Sequence, residues 1–415
     1  MDDLDDALLA KAHALCAAPA FRDVVWRHHR HRGPRATPDA LSTRIHPHDQ
    51  MLRHSLRHWR DVNYSVSQYF NVAFQQHDAQ QQLLRMLLGG RRDAAILDFA
   101  CGFGRSLRFL TQSPFGGDIW ASDVQHEAVD FVAETFGVHG VYSSYDPEAF
   151  RPERTFDFIW VASLFSHLPG HLFVAWLRRL AALLAPGGAV CFSVHDECLL
   201  QPGAALGDDG IGYVPASEIE ELDNRAYGTT HVREAYVAGV IREAFGHDRP
   251  NYVRLARGLA NEQDLYVVAR EASRDLAPLA AFRKGAWGFV DRIAFEAGDV
   301  ALLGWGASLD DGPVANVTVR LDGVEHRAEL GLSREDVKSV LGDARLGASG
   351  WAFRHAVPPG DVFVEVGAES ARGETALLYA GPLTAPPVAP AATPPPSGVG
   401  HRLRGALRSL VGRRG

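Results

Sequence analysis

The stretch Ile96-Leu97-Asp98-Phe99-Ala100-Cys101-Gly102-Phe103-Gly104-Arg105 constrains the fold more than any other part of the chain. Residues 94–99 form a nearly continuous apolar run interrupted by one carboxylate, as expected of a parallel strand covered on both faces. Small residues follow, and Gly102 and Gly104 let the backbone approach a ligand with no Cβ in the way. A helix starting near Arg105 would aim unpaired N–H groups and the positive end of its dipole at that ligand. The stretch predicts a strand, a tight turn and a helix arranged around a nucleotide-type cofactor.

Alternation on either side supports this reading. Strands are predicted at 118–122, 140–143, 156–163 and 189–195, with helices at 127–136 and 171–184 between them. Such alternation gives a parallel, doubly wound sheet. Ala185-Pro186-Gly187-Gly188 reads as a helix-ending turn, 199–212 as a polar insertion, and 231–245 with 252–255 and 264–269 as the closing helix and strands. Upstream, residues 1–20 pattern as a short amphipathic helix. Residues 21–60 are rich in His and Arg and read as a solvated basic surface. Their His spacing fits no compact zinc pattern and no cysteine lies nearby, so no metal is expected. Residues 49–88 are helical, stopped by Gly89-Gly90. The aromatic residues Tyr64, Tyr69, Phe70 and Phe74 read as core packing or as a cap over the cofactor.

After residue 285 the pattern changes to short alternating segments, with Asp322-Gly323 as a hairpin turn between two of them. A β-sandwich of about 100 residues is expected. Pro/Ala-rich residues then form a stiff linker. In the last fifteen residues Leu403, Leu407, Leu410 and Val411 share a helical face flanked by arginines, a candidate contact for an anionic membrane surface or a protein. The expected organisation is therefore a helical region at 1–90, an α/β domain at 91–272, an all-β domain at 280–382, a linker at 383–400 and a basic tail at 401–415.

Bulk properties narrow the function. The net charge of −8 counts against a nucleic-acid partner. The four cysteines have no framework spacing and are expected to be reduced thiols. An acidic start without a basic leader, and no apolar run of ~20 residues, point to a cytoplasmic protein, at most peripheral at the inner membrane surface.

The cofactor class follows from two residues. A dinucleotide turn places a third glycine where Leu107 stands, and Asp98 would repel a pyrophosphate. A cofactor with a cationic end or an amino group would be welcome there. Here the stretch resembles the first motif of the class I S-adenosylmethionine-dependent methyltransferases: Asp98, Cys101, Gly102 and Gly104 match, with Ala100 where a further Gly is usual. Asp123, ending the second strand, matches their ribose-binding acid. The segments 156–168 and Leu184-Ala185-Pro186-Gly187-Gly188 are similar too. The resemblance covers about residues 51–270. It implies a Rossmann-like seven-stranded methyltransferase sheet under an N-terminal helical cap, with S-adenosyl-L-methionine held by Asp98, Ala100, Cys101, Gly102, Gly104, Arg105, Asp123, Val124, Ser163 and Tyr69. Residues 44–51, 103–108, 227–231 and 263–266 resemble a bacterial subgroup found with glycan-building enzymes. The all-β part resembles modules appended to surface-polysaccharide glycosyltransferases. A small-molecule or glycan acceptor is the implied substrate. For a hydroxyl acceptor a general base helps, and His195 and His167, past the ends of their strands, are the candidates. Tyr64 joins Tyr69 as a residue expected over the methionine end. A nicotinamide-dependent oxidoreductase and a non-catalytic scaffold with a degenerate cofactor fold are the rival readings.

Overall fold

The computed structural model describes residues 3–33, 37–201, 203–216 and 222–387. The basic tail and most of the predicted linker lie outside the described residues.

Four helices open the chain: α1 (Asp3–Ala17), α2 (Pro19–Arg30), α3 (Gln50–Trp59) and α4 (Val62–Leu88). Pro19 occupies the first turn of α2, where its missing N–H costs nothing, and the helix expected over 1–20 ends before it, at Ala17. Asp49 caps α3, its Oδ1 accepting from Met51 N and Leu52 N, and Asp61 caps α4 through Tyr64 N. The solvated-surface reading of 21–60 is corrected for α2. His28 and His29 are buried with Phe21, Val24 and Val25, because His28 stacks on Phe74 and His29 packs 4.8 Å from the Phe109 ring.

Strands β1 (Ala95–Phe99), β2 (Asp118–Asp123), β3 (His139–Tyr142), β4 (Phe156–Val161) and β5 (Leu184–Asp196) follow, with α5 (Leu107–Leu110), α6 (His126–Phe136) and α7 (Gly170–Ala182) between them. Then come β6 (Ile211–Val214), β7 (Thr229–Val232), α8 (Glu234–Phe245), β8 (Tyr252–Leu259) and β9 (Gln263–Ala269). The order β3-β2-β1-β4-β5 is parallel, and β9 joins β5 antiparallel with β8 outside it. These are the seven strands expected. The sheet has nine, because β7 pairs with the end of β5 and β6, which begins where the predicted insertion ends, pairs with β7. Ala185–Gly188 is a bulge inside β5 rather than a turn before it: Phe156 pairs with Leu184 and Phe158 with Ala189. One core lies on each face of the sheet, with Leu83, Leu107, Phe158 and Val267 on one and Leu97, Ile159, Trp176 and Val190 on the other.

The helix expected after the turn is a single turn of four residues. Pro114, Gly116 and Gly117 end it, and a Cβ at Gly116 would lie 2.2 Å from Thr111 O. The dipole argument for ligand binding therefore fails at this position.

The C-terminal part holds two antiparallel sheets: β10 (Trp287–Glu296), β11 (Asp299–Ser308), β12 (Gly312–Pro313), β15 (Glu329–Leu332) and β16 (Gly350–Ala356) in one, β13 (Asn316–Leu321), β14 (Val324–Arg327), β17 (Gly360–Glu369) and β18 (Thr375–Ala385) in the other. Val290, Val300 and Leu302 of the first face Val317, Val319, Val364 and Val366 of the second across a shared core. Asp322 and Gly323, at φ 46° and 85°, make the predicted hairpin turn between β13 and β14. A short helix, α9 (Glu335–Leu341), was not predicted. β18 runs to Ala385, so residues 383–385 are strand and not linker.

α4 ties the parts together. Its C-terminal half buries Ala79, Leu83, Leu84 and Leu88 against the large sheet. Its N-terminal half packs on β18: Asn71 Oδ1 accepts from Leu377 N at 3.1 Å, and Ser67 Oγ accepts from Ala380 N at 2.7 Å. From α2, Arg27 and His28 reach the buried Glu365 of β17. Tyr64 packs at a tilt on Trp59 and stacks with Phe289 at this contact, away from the cofactor turn. Its predicted place over the methionine end is corrected: it lies twelve residues, more than three turns, before Gln76, on the end of α4 that packs against the β-rich side.

Candidate functional site

A cavity opens past the carboxyl ends of β1, β2 and β4, where ligands bind in open α/β sheets. It is lined by Asp98, Phe99, Ala100, Cys101, Gly102, Phe103, Arg105 and Ser106 from the first turn, and by Asp123, Val124 and Gln125 after β2. Ser143, Ser144 and Tyr145 follow β3, and Trp160, Ala162, Ser163 and Leu164 close β4. Asp49, Gln50 and Met51, at the start of α3, and Gln76 of α4 come from the helical region. The cap therefore contributes side chains to the cavity.

The turn is left-handed at three places, Ala100 (φ 58°), Gly102 (φ 50°) and Gly104 (φ 72°). Gly102 N donates to Asp123 Oδ2 at 2.9 Å, and Gln125 N donates to Asp123 Oδ1 at 2.9 Å. Each Asp123 oxygen keeps a lone pair for a ligand hydroxyl. Gly104 does not line the cavity. A Cβ there would lie 2.7 Å from Phe136 and 2.8 Å from Val132, so this glycine lets the turn pack on α6.

Asp98 shows what the cavity would hold. It is 4% exposed, and no cation among the described residues pairs with it. Burial, reinforced by the charge of Asp123, pushes its pKa up to about 7. A buried acid of this kind has its charge stabilised by a ligand with a positive group. The aminium of an adenosylmethionine would meet that need, and Asp123 would meet its ribose. The residues present fit that cofactor. For a nicotinamide dinucleotide the fit fails at Leu107, which is wholly buried in the core where the third glycine would stand.

The other candidates divide. Cys101, Arg105, Val124 and Ser163 line the cavity as expected. Tyr69 does not. It lies behind Asp49, donating to Asp49 Oδ2 at 2.7 Å and accepting from Arg108 Nη2 at 3.3 Å, with Arg105 over its ring. His195 and His167 also stand outside the lining. His167 donates through Nδ1 to Gly228 O at 2.6 Å and stacks on Tyr227, a lining residue. His195 accepts at Nε2 from Gln263 Nε2 at 3.3 Å, and burial lowers its pKa to about 4, with His167 and His231 acting in the same direction. Gln263 also donates to Ser163 Oγ at 3.1 Å and accepts from Ser193 Oγ at 2.6 Å, while Ser163 N donates to Ser193 Oγ at 2.7 Å. This closed set holds Ser163 at φ 58° on the cavity wall.

Asp49, Gln76, Tyr145 and Tyr227 were missed as lining residues. Asp49 carries a helix-cap signal that explains it fully at the level of sequence. The others reach the cavity through tertiary packing and carry no local signal.

Residues 72–230 match the family model of a methyltransferase domain. No protein of curated function matches the chain. Among solved structures, the chain is similar to a 1,6-didemethyltoxoflavin N1-methyltransferase from Burkholderia thailandensis with bound S-adenosylhomocysteine (22% identity, 47% of this chain and 78% of that one, TM-score 0.33). It is also similar to a magnesium protoporphyrin IX methyltransferase from Synechocystis (14%, 52% and 94%, TM-score 0.35) and to an S-adenosylmethionine-dependent methyltransferase from Clostridium acetobutylicum (16%, 52% and 95%, TM-score 0.36). At these scores the structural likeness carries no weight for substrate.

Proposed function

From a chain whose residues 72–230 match a methyltransferase domain, we propose an enzyme that uses S-adenosyl-L-methionine to methylate a hydroxyl of a sugar or surface-glycan precursor. The observation that carries the cofactor half is the unpaired, buried Asp98 beside an Asp123 held by two backbone amides. The acceptor half is supported by the resemblance of residues 44–51 and of the β-rich part to glycan-associated proteins, and by a cavity whose wall mixes apolar and hydroxyl-bearing side chains.

The bound cofactor supplies an electrophilic methyl group on a sulfonium. The chain's part is to align an acceptor with it, an orientation effect. Asp98 and Asp123 fix the two ends of the cofactor. Phe103 and Trp160 exclude water from the space between. Ser163, locked by Gln263 and Ser193, presents a hydroxyl to the acceptor. His195, with its lowered pKa and its Nε2 engaged by Gln263, positions that set rather than taking the proton. His167 positions Tyr227. The carboxyl of Asp49 is the ionisable group that the helical region brings to the cavity. Among the described residues no helix is long and apolar enough to cross a membrane.

Calorimetry with S-adenosylhomocysteine and with NADH tests the cofactor, and an acceptor screen with labelled S-adenosylmethionine and glycan precursors tests the substrate. Binding of NADH alone would replace the methyltransferase reading with the oxidoreductase one. Methyl transfer confined to non-glycan acceptors would remove the glycan assignment.

A further inference from the structure

His46 and His48 come from the loop that precedes α3, and Glu127 from the first turn of α6. The structure brings them to one point beside the cavity. The ligand-capable atoms of the three side chains all lie within 4.8 Å of one another. His48 Nδ1 is 2.8 Å from Glu127 Oε2, and His46 Nε2 is 3.8 Å from Glu127 Oε1. The second distance is too long for a hydrogen bond. His46 therefore faces the carboxylate without bonding to it. Its ring is held there by other means: it lies flat on Phe103, with centroids 4.6 Å apart and planes at 4°, and against the edge of Phe131 at 5.0 Å.

Two imidazoles and one carboxylate, one ring fixed by stacking and the carboxylate fixed on a helix, form the donor set of a divalent transition ion. Mg²⁺ and Ca²⁺ prefer oxygen ligands, whereas Zn²⁺, Co²⁺ and Ni²⁺ accept this mixture and leave coordination positions for water. We propose that His46, His48 and Glu127 bind one such ion, of which zinc is the ordinary example, and that the ion clasps the loop before α3 onto α6. The His48 amide now donates to His46 Nδ1 at 3.2 Å. Ligation through Nε2 places the ring proton on Nδ1 and exchanges that bond for the one to the metal. The clasp has a consequence for the cavity. Asp49, Gln50 and Met51 follow directly and line it, and Gln50 Nε2 already donates to Gln125 Oε1 at 2.7 Å as a first fastening to the same region. An ion one turn away makes a second, and orders the roof before the cofactor arrives. This effect on the cofactor rests on the methyltransferase reading; binding of the ion does not.

The test uses the full chain, any purification tag removed, dialysed against EDTA. Zn²⁺ is titrated by calorimetry and Co²⁺ by visible absorption. The expected result is one ion per chain, with His48→Ala and Glu127→Gln each weakening binding by tenfold or more. Both side chains are more than half exposed, so the variants keep the fold, checked by an unchanged melting temperature in EDTA. Binding that is absent, or equal in wild type and variants, overturns the site. S-adenosylhomocysteine is then titrated with and without Zn²⁺, and an affinity gain of about fivefold is expected in wild type only. Zinc binding with unchanged S-adenosylhomocysteine affinity overturns the clasp. Zinc binding with no S-adenosylhomocysteine binding in either condition leaves the ion site in place and defeats the cofactor reading.

Discussion

Ala100 holds φ 58°, a conformation that costs an L-residue roughly 1 kcal/mol or more relative to Gly. Ala100→Gly should remove that strain and raise stability by up to about 1 kcal/mol, a rise of about 1 °C in the melting temperature of a chain this long; an unchanged or lower stability in chemical denaturation would show that the turn is relaxed as it stands. Asp98 gives a pH signature. Its carboxyl holds a proton up to about pH 7 in the folded chain but only to about pH 4 in the unfolded one. Between those values the folded state binds the extra proton, so the stability this group contributes is greatest below pH 4 and is lost as the pH rises to 7. The loss amounts to roughly 4 kcal/mol at most. Asp98→Asn should therefore flatten the fall in melting temperature between pH 5 and pH 8 while weakening S-adenosylhomocysteine binding. A variant that melts with the wild-type pH slope would refute the assignment. Asp123→Ala removes the acceptor of two backbone amides and, on the proposed reading, the group that would hold the cofactor ribose. It should cost more than tenfold in cofactor affinity, or ~1.4 kcal/mol, and calorimetry reads it directly.

At the scale of elements, the buried hydrogen bond from Leu377 N to Asn71 Oδ1 joins α4 to β18. Asn71→Ala leaves that amide without a partner in a dry contact, a cost of about 1–3 kcal/mol. Chemical denaturation should show the loss in the signals of both the α/β and the β-rich parts; a loss confined to one would mean that α4 does not couple them. The same helix marks where sequence reading stopped. Strand and helix periods are local, so β1 to β5, α6 to α8 and the hairpin at Asp322-Gly323 were legible, as were Asp98, Gly102 and Asp123 by their order along the chain. The double role of α4 was not, because it turns one stretch of its surface to the large sheet and another to β18, and a single amphipathic pattern does not record two partners. His28 and His29 read as solvated because composition counts them polar, while the Phe74 and Phe109 rings that bury them lie far along the chain. β6 and β7 were missed since each has four residues, and β7 takes its register from β5 and β6 from β7. His46, His48 and Glu127 form no spacing motif at all, and their meeting is a product of the fold.

Across the whole molecule, the helical region belongs to neither half alone. Its core unites Phe21, Phe70 and Phe74 with Phe109 from the cofactor side and with Leu377 and Ala380 from β18. Arg27, His28 and Arg320 converge on Glu365, which is 2% exposed. Without the β-rich part, α2 and α4 would present a wide apolar face to water, and α4 carries Gln76 to the cavity. Burial of that face contributes about 25 cal/mol per Å², so its loss is felt at the cofactor site although no residue of the β-rich part lines the cavity. A chain ending at Phe282 should therefore be poorly soluble or melt well below the full protein, with S-adenosylhomocysteine affinity reduced with it. The intact chain should unfold in one calorimetric transition, which S-adenosylhomocysteine moves upward as a whole by mass action. A truncated chain that binds S-adenosylhomocysteine with full affinity, or two separate transitions of which one ignores the ligand, would make the β-rich part an independent appendage and confine the coupling to the contact surface on α4.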